Sequence, residues 1–248
     1  MKATIRKYWS DDAEIYNKSI QALVKSQKAK ANWQDLLVEV MGKEKLKVLD
    51  VGTGPGIIAL LLAELGHRVI GVDFSEDMLE NARSNAAALN LPVKFKKGDA
   101  ESLPFPEGTF DAVVNRYVLW TVTDPQKAIS EWRRVLKPGG RLVIIDGNWY
   151  SNDRTWKRSA WQNISALLIM ATEHRDPRFR DLDEDVKNKL WSLKARRPQS
   201  DIELLEKSGF CDIKTMLGIN ARTQSFMDYL KSGYWGDSFL VTGIKGQG

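Results

Sequence analysis

The sequence predicts an open α/β fold in which a mostly parallel sheet carries helices on both faces. Three observations support it. Between residues 46 and 147 short apolar runs alternate with helix-length segments, the pattern of βα units joined by right-handed crossovers. The first run, Leu46-Lys47-Val48-Leu49-Asp50-Val51, breaks into glycine at every second position (Gly52, Gly54, Gly56) before a helical pattern resumes. The next apolar run closes on an acid, Asp73, as strands in ligand-binding sheets of this class do.

Taken in order, residues 1–45 hold helical patterns. Asp11 to Tyr16 opens one amphipathic turn, and Trp33, Leu36, Leu37, Val40 and Met41 repeat at helical spacing in another, so this part is expected to cap the ligand site. Strand 48–51 leads through the glycines into helix 57–65. Strand 67–72 is followed by helix 75–89, for which Ser75 is a candidate cap. A third short strand is expected at 93–95 and a fourth at 110–119. Asp124 before Pro125 starts a helix to 136, Lys137-Pro138-Gly139-Gly140 stops it and turns, and strand 141–146 completes a five-strand parallel core. Residues 148–200 break the alternation with Trp149, Trp156, Trp161 and Trp191, an apolar patch at 164–170 and a charged run from His174 to Asp185, read as an inserted helical lid. A helix at 201–208 and strands at 211–217 and 238–245 finish the chain, which is one domain: cap 1–45, core 46–147, lid 148–200 and strand pair 201–248.

Composition limits the function classes. With 248 residues and 43% hydrophobic content, the chain can fill one sizeable core. No run approaches the roughly 18 apolar residues of a membrane span, and no signal peptide opens the sequence, so a cytoplasmic protein is expected. One cysteine, Cys211, excludes an internal disulfide and a multi-cysteine metal site, and two histidines argue against a histidine-based metal centre.

The glycine turn brings bare backbone to a ligand. A dinucleotide fingerprint would want a third glycine at 57, where Ile57 stands, and Pro55 argues against a pyrophosphate at the helix N-terminus. Asp50 adds an acceptor at the strand end. Asp73 lies about twenty residues past the first glycine, where α/β nucleotide sites hold the two ribose hydroxyls. Asp99, past the third strand, can accept from the amino group of a purine, Ala100 can offer its N–H to a ring nitrogen, and Phe74 or Met78 can cover the base.

Four ordered motifs, Leu-Asp-Val-Gly-Thr-Gly-Pro-Gly, Gly-Val-Asp-Phe-Ser, Gly-Asp-Ala-Glu-Ser-Leu-Pro-Phe and Arg-Val-Leu-Lys-Pro-Gly-Gly at 134–140, resemble those of the class I S-adenosylmethionine-dependent methyltransferases over roughly residues 8–148. The nearest subgroup resembles the menaquinone and ubiquinone methyltransferases acting on small molecules. The resemblance implies a Rossmann-like methyltransferase fold, a seven-stranded sheet with an antiparallel last strand, and S-adenosylmethionine as cofactor with S-adenosylhomocysteine as product. It implies that Gly52 and Gly54 approach the methionine part, Asp73 the ribose, and Asp99 with Ala100 the adenine. Tyr16, Asp50, Thr53 and Gly56 join this cofactor set, as do Phe74, Met78, Glu101, Asn115 and Arg116.

A sulfonium methyl is already activated, so the enzyme has to align a nucleophile about 3 Å away in line with sulfur and exclude water. No catalytic side chain is required by that chemistry. Candidates for a catalytic role are Arg116 and Tyr117 at the end of the fourth strand and His174 in the lid; His67 reads as structural, and Trp120 as pocket or core. Tyr8 and Tyr16 could close the cofactor pocket. A small organic acceptor enclosed by a tryptophan-rich lid is the leading expectation, in a monomer or homodimer. A net charge of +5 and a pI near 9.1 favour a nucleic-acid methyltransferase as rival. Against it, Asn115-Arg116-Tyr117-Val118 lacks the Asn-Pro-Pro-Tyr-like loop of amino-group methylases, and Cys211 is distant from the strand mouth. A non-catalytic cofactor-binding protein and a spermidine-synthase-like use of the fold remain alternatives.

Overall fold

The computed structural model describes residues 1–148, 156–173, 184–224, 226–232 and 238–247. Three helices open the chain, α1 (Lys2–Asp11), α2 (Ala13–Lys25) and α3 (Gln27–Met41). The alternation follows: β1 (Lys47–Val51), α4 (Ile57–Glu64), β2 (Arg68–Asp73), α5 (Glu76–Ala88), β3 (Lys94–Lys97), β4 (Phe110–Arg116), α6 (Pro125–Val135) and β5 (Leu136–Gly147). After it come α7 (Trp156–Glu173), α8 (Glu184–Lys187), α9 (Gln199–Lys207), β6 (Phe210–Leu217), α10 (Asn220–Thr223), α11 (Phe226–Ser232) and β7 (Ser238–Lys245).

The strands form one seven-stranded sheet in the order β3-β2-β1-β4-β5-β7-β6. β7 is antiparallel to both β5 and β6, so the reversed strand lies one place in from the edge and β6, at the edge, runs with the parallel strands. The order changes direction at β1 and β4, where a crevice opens at the carboxyl ends of the strands.

Each face is sealed by its own apolar cluster. On one, Trp33, Leu36, Leu37, Val40 and Met41 of α3 pack with α4 against β1 and β4, so the helical stripe read from sequence is the buried stripe. Helix α4 buries Ile57 through Leu62, and each large side chain among them stabilises the fold by roughly 1.5–3 kcal/mol. On the other face Ala128, Ile129, Trp132 and Val135 of α6 pack on Val113, Leu142 and Ile144. Helix α6 begins as its sequence demands, with Asp124 accepting from the Lys127 N–H at 2.9 Å and proline in the first turn.

Several boundaries differ from expectation, each for a reason of pairing. The third strand covers Lys94–Lys97 rather than 93–95, because its bounds are set by parallel register with Ile70 to Asp73. Its exposed lysines suit an edge strand that must not recruit another chain. The fourth strand stops at Arg116, short of 119, since Tyr117 takes a left-handed backbone (φ 60°) and Leu119–Thr121 form a 3-10 turn. The fifth extends back to Leu136, which pairs with Phe110 across a register shift, so the Lys137–Gly140 turn is an irregularity within the strand. Helices α10 and α11 occupy the stretch between the last two strands, to which the sequence assigned no element.

Candidate functional site

The carboxyl ends of β1 to β4 surround one cavity of about 990 Å³, its open mouth included. Its floor is the glycine turn. Gly52 and Gly54 have φ of 63° and 54°, a region costly for residues bearing a Cβ. A Cβ on Gly52 would lie 2.3 Å from Val118 Cγ2, whereas one on Gly54 would meet only Met78 Sδ, at 3.9 Å, and point into open space. Thr53 folds the turn back: its N–H donates to Val72 O at 2.9 Å and its hydroxyl to Asp50 Oδ2 at 2.7 Å. Asp50 also accepts from the Ala59 N–H in the first turn of α4 at 3.1 Å. Gly56 does not line the cavity; its left-handed backbone starts α4.

Asp73, buried at the end of β2, accepts from the Gly54 N–H through Oδ2 and from the Ser75 N–H through Oδ1, both at 2.9 Å. Ser75 itself caps α5 by accepting from Met78 N, which leaves Asp73 free of the capping role. Among the described residues no salt bridge is formed by Asp50 or Asp73. Burial pushes Asp50 up to about 7 against the hydrogen bonds from Thr53 and Ala59, and Asp73 up to about 6 against those from Ser75 and Gly54.

Past β3, Asp99, Ala100 and Glu101 line the next wall. Trp132 Nε1 donates to Ala100 O at 3.0 Å and steadies the loop. Glu101 Oε1 accepts from the N–H and hydroxyl of Thr123, both at 2.6 Å, and from Asp124 N at 3.1 Å, so it ties this loop to the start of α6. Lys2 of α1 bridges Asp99 Oδ2 at 2.7 Å and Glu101 Oε2 at 2.6 Å. Burial alone would raise Glu101; the bonds from Lys2 and Thr123 outweigh it and hold the carboxyl below its ordinary value.

Arg116 and Tyr117 line the end of the cavity beyond β4. The guanidinium stacks 4.1 Å from the Tyr117 ring centroid and 5.3 Å from that of Trp33, and its Nε is buried without a hydrogen-bond partner among the described residues. Tyr16, Trp9, Ile5 and Lys2 roof the site from α2 and α1. Burial raises the Tyr16 phenol well above its ordinary value.

Of the cofactor residues expected from sequence, Asn115 and Gly56 stand outside the cavity wall; Asn115 is fully buried with neither amide atom bonded among the described residues. Trp120 belongs to the core, edge-on to Trp9 at 6.0 Å, its indole donating to Tyr117 O. His67 accepts from Leu46 N through Nδ1 and plays a structural part. His174 lies outside the described residues, as does Trp149. No described residue of 148–200 lines the cavity: Trp156 faces solvent, Trp161 donates to Leu230 O, and Trp191 to Leu119 O. The roof is α1 and α2, within the segment 1–45 expected to cap the site. Lys2, Ile5 and Trp9 went unread in the sequence although Ile5, Trp9, Ala13 and Tyr16 repeat at helical spacing.

Comparison with known proteins decides the family of the core: a profile described as a methyltransferase domain matches residues 49–144. Residues 49–144 belong to the methyltransferase domain family. Outside this methyltransferase domain the likeness thins. A demethylmenaquinone methyltransferase of Thermus thermophilus is 42% identical over 121 residues, 48% of this chain and 55% of that protein. The chain thus spans about half the length of the curated relatives it matches. Among solved structures, a methyltransferase of Methanococcus maripaludis shares the fold with TM-score 0.64 at 20% identity, over 96% of this chain and 94% of that one. Phosphoethanolamine N-methyltransferase 2 of Haemonchus contortus, solved with phosphomonomethylethanolamine and S-adenosylhomocysteine, gives 0.62 at 22% identity over 87% of this chain and 53% of that one. Both carry the architecture around the methyltransferase domain and nothing finer.

Proposed function

We propose that this chain transfers a methyl group from S-adenosylmethionine to a small organic acceptor. The observation that carries the reading is that Gly52, Gly54, Asp73 and Ala100, from the carboxyl ends of three successive strands and the loops that follow them, share one cavity with an aromatic roof. The chemistry of the donors fits such a cofactor. Asp73 Oδ2 accepts from the Gly54 N–H and Oδ1 from the Ser75 N–H, and a carboxylate has lone-pair capacity for ribose hydroxyls beyond these. The turn at Gly54 leaves room for the methionine part, and the Ala100 N–H with Asp99 offers a donor and an acceptor to adenine.

When bound, the cofactor supplies a methyl already activated on sulfur. The chain's own residues then have to hold the acceptor in line and keep water out. Trp9, Ile5 and Tyr117 present the apolar surface for that, and Arg116 a fixed cation at the same end. Tyr16, kept protonated by burial, donates a hydrogen bond at neutral pH rather than removing a proton. The likeness to demethylmenaquinone methyltransferases directs the first acceptor trial to demethylated menaquinols. Calorimetry should detect S-adenosylmethionine binding, and mass spectrometry should detect S-adenosylhomocysteine once the acceptor is supplied. Absence of cofactor binding sinks the proposal, and methylation of RNA but not of quinols moves it to the nucleic-acid reading that the +5 charge favours.

A further inference from the structure

One side chain in the cavity wall is held in a way that folding alone does not explain. Arg116 is the last residue of β4, and its guanidinium lies against two rings, 4.1 Å from the centroid of Tyr117 and 5.3 Å from that of Trp33. Such stacking places the cation while leaving its N–H edge unused. Its Nε is buried with no hydrogen-bond partner, and no carboxylate forms an ion pair with this arginine, among the described residues. Tyr117 presents its ring from a left-handed backbone, φ 60°, a region that a bulky aromatic residue seldom occupies. An unmade buried donor and a strained backbone both oppose folding. Asp50 feels the charge of Arg116, yet its carboxyl is bonded to Thr53 and Ala59 instead.

These features answer a ligand that brings negative charge. Of the two cations that line the cavity, Lys2 already bridges Asp99 and Glu101, which leaves Arg116 to receive an anion. The lining acids Asp73, Asp99 and Glu101 follow β2 and β3, and β1 separates those strands from β4 in the sheet. An anionic group is therefore repelled from that side and drawn to this one. A guanidinium fork matches the two oxygens of a carboxylate, or one ionised phenol oxygen, through charge-assisted hydrogen bonds. We infer that Arg116 is an oxyanion subsite, so that the ligand group lodged at the β4 end of the cavity is a carboxylate or an ionised phenol. Resting on the methyl-transfer reading, the subsite has two sources for that group: the α-carboxylate of the cofactor, or an anionic acceptor.

Calorimetry on the full chain tests this. Parent and Arg116→Gln are titrated with S-adenosylhomocysteine and with 5′-methylthioadenosine, which lacks the amino-acid end. Both are then titrated, with and without S-adenosylhomocysteine, with 2-naphthoate and with its neutral amide. The variant should lose about tenfold or more in affinity for at least one of the two carboxylates, while the compound lacking that carboxylate binds as before. Loss for S-adenosylhomocysteine assigns the subsite to the cofactor, and loss for 2-naphthoate assigns it to the acceptor. Arg116→Lys keeps the charge without the fork and should fall between parent and glutamine variant; it carries the same comparison should Arg116→Gln prove unfolded by circular dichroism. A variant that binds both carboxylates as the parent does, one that loses the neutral compounds equally, or a parent that binds neither carboxylate overturns the inference. A parent that prefers 2-naphthoate to its amide but takes no S-adenosylhomocysteine would sink the methyl-transfer reading and leave the subsite standing.

Discussion

Two places on the same edge of the sheet hold buried aspartates and treat them in opposite ways. At the ends of β1 and β2, Asp50 and Asp73 take neutral donors among the described residues, backbone N–H groups and one hydroxyl, and face a cavity. At the end of β5, Asp146 is enclosed with Arg197 and Asp201. Arg197 Nη2 reaches Asp146 Oδ2 at 2.9 Å and Asp201 Oδ1 at 2.5 Å, while Nε reaches Asp201 Oδ2 at 2.9 Å. Asp146 also accepts from Trp120 N and Gly147 N, and the guanidinium stacks near Trp191 and Phe239. Burial would lower Arg197, but Asp146 and Asp201 outweigh it and keep the guanidinium charged. The difference separates a receptive arrangement from a closed one. Carboxylates given neutral donors and an open side keep capacity for a ligand, while those given a buried cation lock segments together, here the residues around 191–201 onto β5.

The contrast should break first at the closed end. Arg197→Met leaves two buried carboxylates unpaired, and denaturant unfolding should show a loss of about 3–5 kcal/mol; a loss under about 1 kcal/mol would mean the triad is not a lock. At the receptive end Asp73→Ala should cost on the order of 2 kcal/mol in S-adenosylmethionine affinity by calorimetry, with little loss of fold stability. Unchanged affinity there would remove Asp73 from the ribose role.

The two ends should also answer differently to pH. Because burial raises Asp50 to about 7 and Asp73 to about 6, the folded chain keeps protons that the unfolded chain releases. The stability this contributes is fully present below the ordinary carboxylate range and is lost as pH rises through about 6 to 7. The thermal midpoint should therefore fall between about pH 5 and about pH 8, and Asp50→Asn should flatten that slope; a variant with the parent's slope would place the titration elsewhere. Smallest is Lys2→Ala. Its partly exposed pair with Asp99 is worth under about 1 kcal/mol, so stability should barely change, and freeing Asp99 should tighten cofactor binding by about twofold. A drop of more than about 2 kcal/mol in stability would make Lys2 an anchor of α1 rather than a neighbour competing for Asp99.

Much of the receptive end was legible in the sequence, because its chemistry is local. Asp50, Thr53 and Gly54 act within one turn, and Asp73 caps its own strand's exit. The α3 stripe from Trp33 to Met41 buries as its periodicity demanded. The closed end was not legible: Asp146 and Arg197 lie 51 residues apart, and nothing near either announces the other. The lid expectation drew on a different kind of signal, since a run rich in tryptophan states that surface will be covered without stating by what, and no described residue of that segment lines the cavity.

The sequence by itself determined the alternation of strand and helix, the glycine turn and the acids that follow it, since these follow from backbone sterics and the spacing of apolar residues over a few positions. Only the tertiary structure decided which side chains of the N-terminal helices reach the cavity, that Lys2 meets Asp99 across 97 positions, and that Arg197 seals β5 while α7 turns apolar side chains outward. Those outcomes depend on how distant segments compete for the same surface, and that competition is resolved by packing in three dimensions.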